Sequence, residues 1–210
     1  TSTQVGSLYN ADANTGQAKI DLDSAYSKLI AIPVTDSAHA SAFGSGDTLT
    51  AGVYYIAGAG SLTGTLTLDG QNDPDAIFII RFNAAFTVAA QSKVIFANGT
   101  RLCNVFWIAE GAISMGTFAY MKGTVISHGA ACSMGANGNL EGRMLSTYGA
   151  VSFSTGVIYK DPLYFMATSY LPIELLSFTA KVDEKHVQLD WVTTAEANND
   201  YFNVEHSVDG

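Results

Sequence analysis

Three stretches of the chain can be laid on one another: Gly111-Ala112-Ile113-Ser114-Met115, Ala130-Ala131-Cys132-Ser133-Met134 and Gly149-Ala150-Val151-Ser152-Phe153. They recur about 19 residues apart, and each is followed by another short apolar run. A fourth, Ala84-Ala85-Phe86-Thr87-Val88, fits loosely. A repeat of that length is one coil of a solenoid, since a single coil cannot bury its apolar side without a neighbour. In a strand the residue marked x in Ala-x-Ser points inward. Ala85, Thr87, Ala112, Ser114, Ala131, Ser133, Ala150 and Ser152 therefore point outward. Stacked every ~4.8 Å, they would form a grid of methyl and hydroxyl groups with almost no charge.

Charge supports a surface of that kind. Only 14% of the 210 residues are charged, 48% are hydrophobic, and Gly (20) far outnumbers Pro (4), which argues against disorder and for a β-rich extracellular protein with tight corners. The net charge of −9 makes nucleic acid an unsuitable partner. Acid is concentrated late: between Ala84 and Lys160 the only carboxylates are Glu110 and Glu141, whereas nine follow from Asp161 onward. No stretch reaches the ~18 apolar residues of a membrane span. The polar N-terminus reads as a mature end or a fragment. Cys103 and Cys132 do not define a disulfide framework; two buried thiols and one bridge are both open, and Cys132 falls at an inward position of the repeat.

One helix is expected, over residues 17–32. Ala18, Leu22, Ala25, Tyr26 and Leu29 line one stripe, Asn14 or Thr15 can cap it, and Pro33 ends it. After it every segment is short and β-like. Residues 48–57 hold a Val53-Tyr54-Tyr55-Ile56 run, and residues 61–68 alternate as one half-buried strand. Ala76-Ile77-Phe78-Ile79-Ile80 and Val105-Phe106-Trp107-Ile108-Ala109 are apolar on both sides, and Val125-Ile126 and Met144-Leu145 hold the same place in later coils. Such strands must be covered on both faces. The helix is the available cover, so it should lie beside the stack and parallel to its axis. A third strand per coil falls at 118–121, 139–140 and 157–159, and glycines at 111, 116, 123, 129, 135, 138, 142, 149 and 156 mark the corners. Three short sides per coil predict a triangular cross-section.

Composition shifts after Lys160. Strand-like runs at 171–178, 187–191 and 201–205 are too few for a β-sandwich of about seven strands. The organisation expected is a β-helix with its flanking helix over 1–160, a linker over 161–170, and an incomplete sandwich-like segment over 171–210.

The run Ser61-Leu62-Thr63-Gly64-Thr65-Leu66-Thr67-Leu68-Asp69, then Asp73-Pro74-Asp75-Ala76-Ile77-Phe78, then Cys103-Asn104-Val105-Phe106-Trp107, resembles the microbial ice-binding-protein-like (antifreeze) domain family over about residues 10–160. The resemblance implies an all-β, right-handed triangular β-helix with a flanking helix. It implies a secreted, non-enzymatic protein that adsorbs to ice, or another repetitive surface, through the second strand of each coil. Active members of that family carry a loose Thr-Ala/Gly-x-Thr/Asn motif there. At the four matching positions the small second residue is kept, the first Thr is absent, and the last residue is Ser three times and Thr once (Thr87). The segment 171–210 resembles the stretch before the sorting region of secreted Bacteroidetes-type proteins, on Leu171-Pro172-Ile173-Glu174-Leu175 and Asn198-Asn199-Asp200-Tyr201-Phe202. That likeness implies export and display at the cell surface. Only about 14 residues precede the helix, where the family normally has several coils. An open stack end and a partnerless segment 171–210 together suggest an alternative: a homo-polymer built by strand donation, as in a filament or adhesin.

Catalysis finds no footing in the residues. His39, His128, His186 and His206 show no metal-ligand spacing, and no Gly-x-Ser-x-Gly elbow exists. Glu110 and Glu141 fall at different places in the repeat, so they do not form a glycosidase pair. Asp69, Asp73 and Asp75 read as a turn rather than a Ca²⁺ loop. No cofactor is expected.

Overall fold

The computed structural model describes residues 13–160, 175–183 and 186–193. The chain divides into two compact units, Thr1–Pro162 and Leu163–Gly210.

The described part of the first unit runs from α1 (Ala13–Ala31) into six stacked coils of chain. β1 (Ala42–Gly44), β2 (Thr48–Thr50) and β3 (Gly52–Ile56) make the first. β4 (Gly60–Thr63), β5 (Thr65–Asp69) and β6 (Phe78–Phe82) make the second, and β7 (Phe86–Val88), β8 (Lys93–Ala97) and β9 (Val105–Ala109) the third. β10 (Ile113–Met115) and β11 (Tyr120–Ser127) follow, then β12 (Cys132–Met134) and β13 (Asn139–Ser146), then β14 (Val151–Phe153) and β15 (Ile158–Lys160). All pairings in this unit are parallel. One six-stranded sheet runs β1-β4-β7-β10-β12-β14. A second series runs β2-β5-β8-β11-β13-β15, and a third runs β3-β6-β9-β11-β13. The last two join because β11 and β13 each bend at a glycine and serve both. Gly123 and Gly142 make those bends at φ +104° and +150°, in backbone that disfavours a side chain.

Between the sheets lies a continuous core. Phe43 meets Phe82 edge-on, Phe82 stacks on Phe86 at 4.3 Å between centroids, and Phe86 stacks on Trp107 at 5.5 Å. The buried Trp107 indole donates to the Lys122 carbonyl at 2.9 Å. Later coils fill the same interior with Met115, Met121, Cys132, Met134 and Leu140. Both cysteines are free thiols.

A second apolar cluster lies outside the β3-β6-β9-β11-β13 series. Tyr26, with Leu22 and Leu29, packs on Val53, Ile79, Ile108, Ile126 and Leu145. The doubly apolar strands are covered by the helix, as their sequences require. The contacts fix its direction. Thr35 N–H donates to the Val53 carbonyl, Arg81 Nη1 to the Ile30 carbonyl at 2.5 Å, Tyr26 to Glu110, and Lys19 lies 4.9 Å over the Tyr148 ring. Moving back along the helix therefore climbs the stack. The 12 helical steps from Lys19 to Ala31 rise about 18 Å, close to four coil spacings of about 19 Å.

Several local expectations are corrected. The helix begins at Ala13, not residue 17, which puts Asn14 and Thr15 inside its first turn. Ala18 and Ala25 are exposed, so the buried stripe reduces to Leu22, Tyr26 and Leu29. Residues 61–68 are two strands, β4 and β5, broken at Gly64 (φ +72°), and residues 48–57 are likewise β2 and β3. The third strands begin at Tyr120 and Ile158 rather than at 118 and 157.

In the second unit β16 (Leu175–Asp183) and β17 (His186–Thr193) form an antiparallel hairpin. The first strand runs past 178 and the second past 191; residues 171–174 lie outside the described residues. The linker 161–170 and the run 201–205 lie outside the described residues.

Candidate functional site

The sheets of the solenoid unit differ in what they present outward. The third series is hidden by α1. The second is charged: Lys122 pairs with Glu141 at 3.3 Å and lies 5.0 Å over the Phe96 ring, while the Tyr120 hydroxyl donates to Glu141 at 2.6 Å. The β1-β4-β7-β10-β12-β14 sheet carries no charged residue at all.

Its register aligns the repeats into columns. Thr87 pairs with Ser114, Ser114 with Ser133, and Ser133 with Ser152. Two residues earlier stand Ala85, Ala112, Ala131 and Ala150. The carbonyls of Ala112, Ala131 and Ala150 accept from Phe86, Ile113 and Cys132 N–H at 3.0, 3.1 and 2.9 Å. Thr87, Ser114, Ser133 and Ser152 thus lie on one sheet in one column, and Ala85, Ala112, Ala131 and Ala150 stand immediately before its strands in a second. Thr87, Ser114, Ser152, Ala112, Ala131 and Ala150 are exposed; Ala85 and Ser133 are half-buried. Between the columns Phe86, Ile113 and Cys132 point into the core at 0–1% exposure. Burial pushes the Cys132 thiol up to about 12, so it stays protonated beneath the face.

The columns extend two coils further than the repeat suggests. Ser61 pairs with Thr87, and Ala42 pairs with Ser61. Ala59 precedes Ser61 as Ala85 precedes Thr87. The signal was present in Ala59-Gly60-Ser61-Leu62, a small-x-Ser pattern masked by the alternation that follows it. Among the described residues no protein group engages the hydroxyls of Ser61, Thr87, Ser114, Ser133 or Ser152, which leaves them to water.

Rigidity comes from the corner before the face. Ser127 is fully buried, and its one hydroxyl proton is shared between the Ala130 carbonyl at 2.7 Å and the Gly111 carbonyl at 2.9 Å. Ser146 donates to the Ala130 carbonyl at 2.9 Å and accepts from Gly149 N–H at 2.9 Å. These two serines, 19 residues apart in the repeat, position the alanine column.

The other polar groups are structural. Glu110 accepts from Tyr26 at 2.5 Å and pairs with His128 Nδ1 at 2.9 Å, while the His128 and Tyr26 rings stack at 3.8 Å; this ties helix to sheet. Asp69 and Asp73 accept from the backbone N–H of Gln71 and Asp75, so the acidic run is a turn. Among the described residues no group of three or more His, Cys, Asp or Glu is placed to hold a metal.

Residues 1–159 match the family model described as ice-binding-like. An ice-binding protein of Nostoc sp. (strain HG1) is 30% identical over 154 residues, which are 73% of this chain and 56% of that protein. Ice-binding protein 1 of Shewanella frigidimarina is 32% identical over 148 residues, 69% of this chain and 16% of that protein. Among solved structures, an ice-binding protein from an Antarctic Flavobacteriaceae bacterium superposes with a TM-score of 0.69 at 42% identity, covering 71% of this chain and 35% of its own. The Shewanella frigidimarina domain superposes at 0.66 with 30% identity, covering 75% and 68%. The chain therefore spans little more than half of the first of these sequence relatives and a sixth of the second.

Proposed function

Since the chain belongs to the ice-binding-like family, we propose that it adsorbs to ice through the sheet carrying Ala85, Thr87, Ala112, Ser114, Ala131, Ser133, Ala150 and Ser152, extended by Ala42, Ala59 and Ser61. The observation that carries this reading is the neutrality of that sheet beside one charged face and one covered face. The reading includes a right-handed coil of triangular section, since parallel crossover connections are right-handed in nearly all proteins. It also includes secretion, with residues 171–210 serving display at the cell surface, and a binding rather than catalytic role.

The physics is that of a stiff lattice. Methyl groups in one column exclude water and hydroxyls in the next hold it, with ~4.8 Å between coils. Each contact is weak. The backbone is fixed before binding, so little ordering entropy opposes the sum. Serine in place of threonine removes a methyl at three of the four original positions, which weakens each contact by at most ~0.8 kcal/mol.

The test is a nanolitre osmometer measurement with the full chain. Faceted crystal growth and a freezing-point gap are expected. Ser114→Tyr or Ser133→Tyr, which set a large ring in the middle of the grid, should abolish both. Unchanged activity in either variant would reject this face.

A further inference from the structure

Four coils place one residue each at the same corner, three positions beyond the end of the neutral strand: Gln91, Phe118, Asn137 and Gly156. All four have left-handed backbone, with φ of 62°, 56°, 55° and 71°. The corner is regular. Gln91 N–H donates to the Thr117 carbonyl, Phe118 N–H to Ala136 and Asn137 N–H to Thr155, at 2.9 to 3.0 Å. Gly and Asn take such backbone at least cost, and a bulky aromatic there is a rare outlier. Burial does not compensate, because Phe118 is 58% exposed. The fold would be better served by the Asn or Gly found one and two coils on. Strain held in an exposed aromatic at the border of a binding surface points to a role outside folding.

Resting on the face assigned above, we propose that Phe118 is a contact residue of that face: an apolar anchor at its rim that joins the methyl lattice in engaging ice. Gly116 and Thr117 lie between the end of β10 and this corner, as Gly135 and Ala136 do one coil on, so Phe118 stands three residues beyond the neutral strand. An apolar rim group extends the dewetted area and hinders return of water at the boundary. A rim contact also makes the two edges of the face unlike, which bears on the crystal plane chosen.

The experiment compares the unsubstituted chain with Phe118→Asn, Phe118→Tyr and Ser114→Tyr, measuring melting temperature, freezing-point gap and crystal faceting. Phe118→Asn should raise the melting temperature by about 2 °C, as relief of one strained position would in a chain of this size. It should also cut the freezing-point gap several-fold, whereas Phe118→Tyr, which keeps the ring, retains most of it. If Phe118→Asn keeps the full gap while Ser114→Tyr loses it, the rim anchor is overturned and the face stands. If Ser114→Tyr also keeps the full gap, the face itself is misassigned and Phe118 falls with it.

Discussion

At the scale of single residues, close contact between coils decides what is tolerated. A Cβ on Gly142 would lie 1.8 Å from the Gly123 carbonyl oxygen, on backbone at φ +150°, and the obstacle is backbone that cannot step aside. Gly142→Ala should therefore cost upwards of ~3 kcal/mol by overpacking and strain. Gly58→Ala, with nothing within 4 Å of the added atom, should be near neutral. Urea unfolding of the two variants checks the contrast; equal midpoints would mean the coils are not in this register. Titration offers a second residue-level test. Burial, and then the hydrogen bond to Glu141, push the Tyr120 phenol up to about 12 from its ordinary 10. A group whose pKa is raised by folding adds stability that is complete below its unfolded pKa and is lost as pH climbs through the folded one. The melting temperature should thus fall between pH 10 and 12, and Tyr120→Phe should flatten that fall. Tyr26, raised by its burial and by Glu110, titrates later still and leaves a residual slope in the variant.

At the scale of elements, the helix is a strut set along the stack, and Tyr26 is its fulcrum. Tyr26 is 8% exposed, donates to Glu110 and stacks on His128, so it joins α1 to the third and fourth coils at once. Tyr26→Phe keeps the packing and deletes the donor, an expected loss of about 1 kcal/mol given Glu110's partial exposure. Tyr26→Ala deletes both and should cost ~3–5 kcal/mol. Guanidinium unfolding that ranked the two equally would show the ring packing to be immaterial. The helix was legible because Leu22, Tyr26 and Leu29 recur at helical spacing and Pro33 stops them. Its start was not, because the first turns bury nothing and so leave no periodic mark. Strand identity was equally legible for β9 and the second half of β11, whose two-sided apolarity demanded the helix. The corner at Gly64 was hidden for a physical reason. Leu62 and Leu66 both point inward across the bend, so the alternation of period two runs through it unbroken. That concealment cost the site Ser61 of the second coil. The left-handed corner at Phe118 was also out of reach, since nothing in Gly116-Thr117-Phe118-Ala119 distinguishes a strained aromatic from a strand residue.

At the scale of the whole solenoid unit, each coil touches only its neighbours, so stability is close to a sum of coil and interface terms. Those terms are uneven. The first three coils share the ladder Phe43, Phe82, Phe86 and Trp107, while later interiors rely on flexible methionines and a cysteine. At the inward positions of β12, Cys132 and Met134 are 0% and 1% exposed; at the same positions of β14, Val151 and Phe153 are 41% and 48% exposed. Among the described residues no strand pairs with the far edge of β14. Opening should therefore begin at the sixth coil and travel toward the third, in cooperative steps rather than at random. Native-state hydrogen exchange is expected to show this order. The β15 amide of Ile158, bonded to Gly138, and Cys132 N–H, bonded to Ala150 of the sixth coil, should exchange first; Ile113 N–H, bonded to Ala131 of the fifth, should follow; and the β6 and β9 amides should exchange last, near the global limit. Uniform exchange across the coils would mean that the unit opens as one block. A graded order has a functional consequence. The columns would lose Ala150 and Ser152 while Ala112 and Ser114 are still held, so binding should decline stepwise on warming before the core melts, with the inner coils the last to let go.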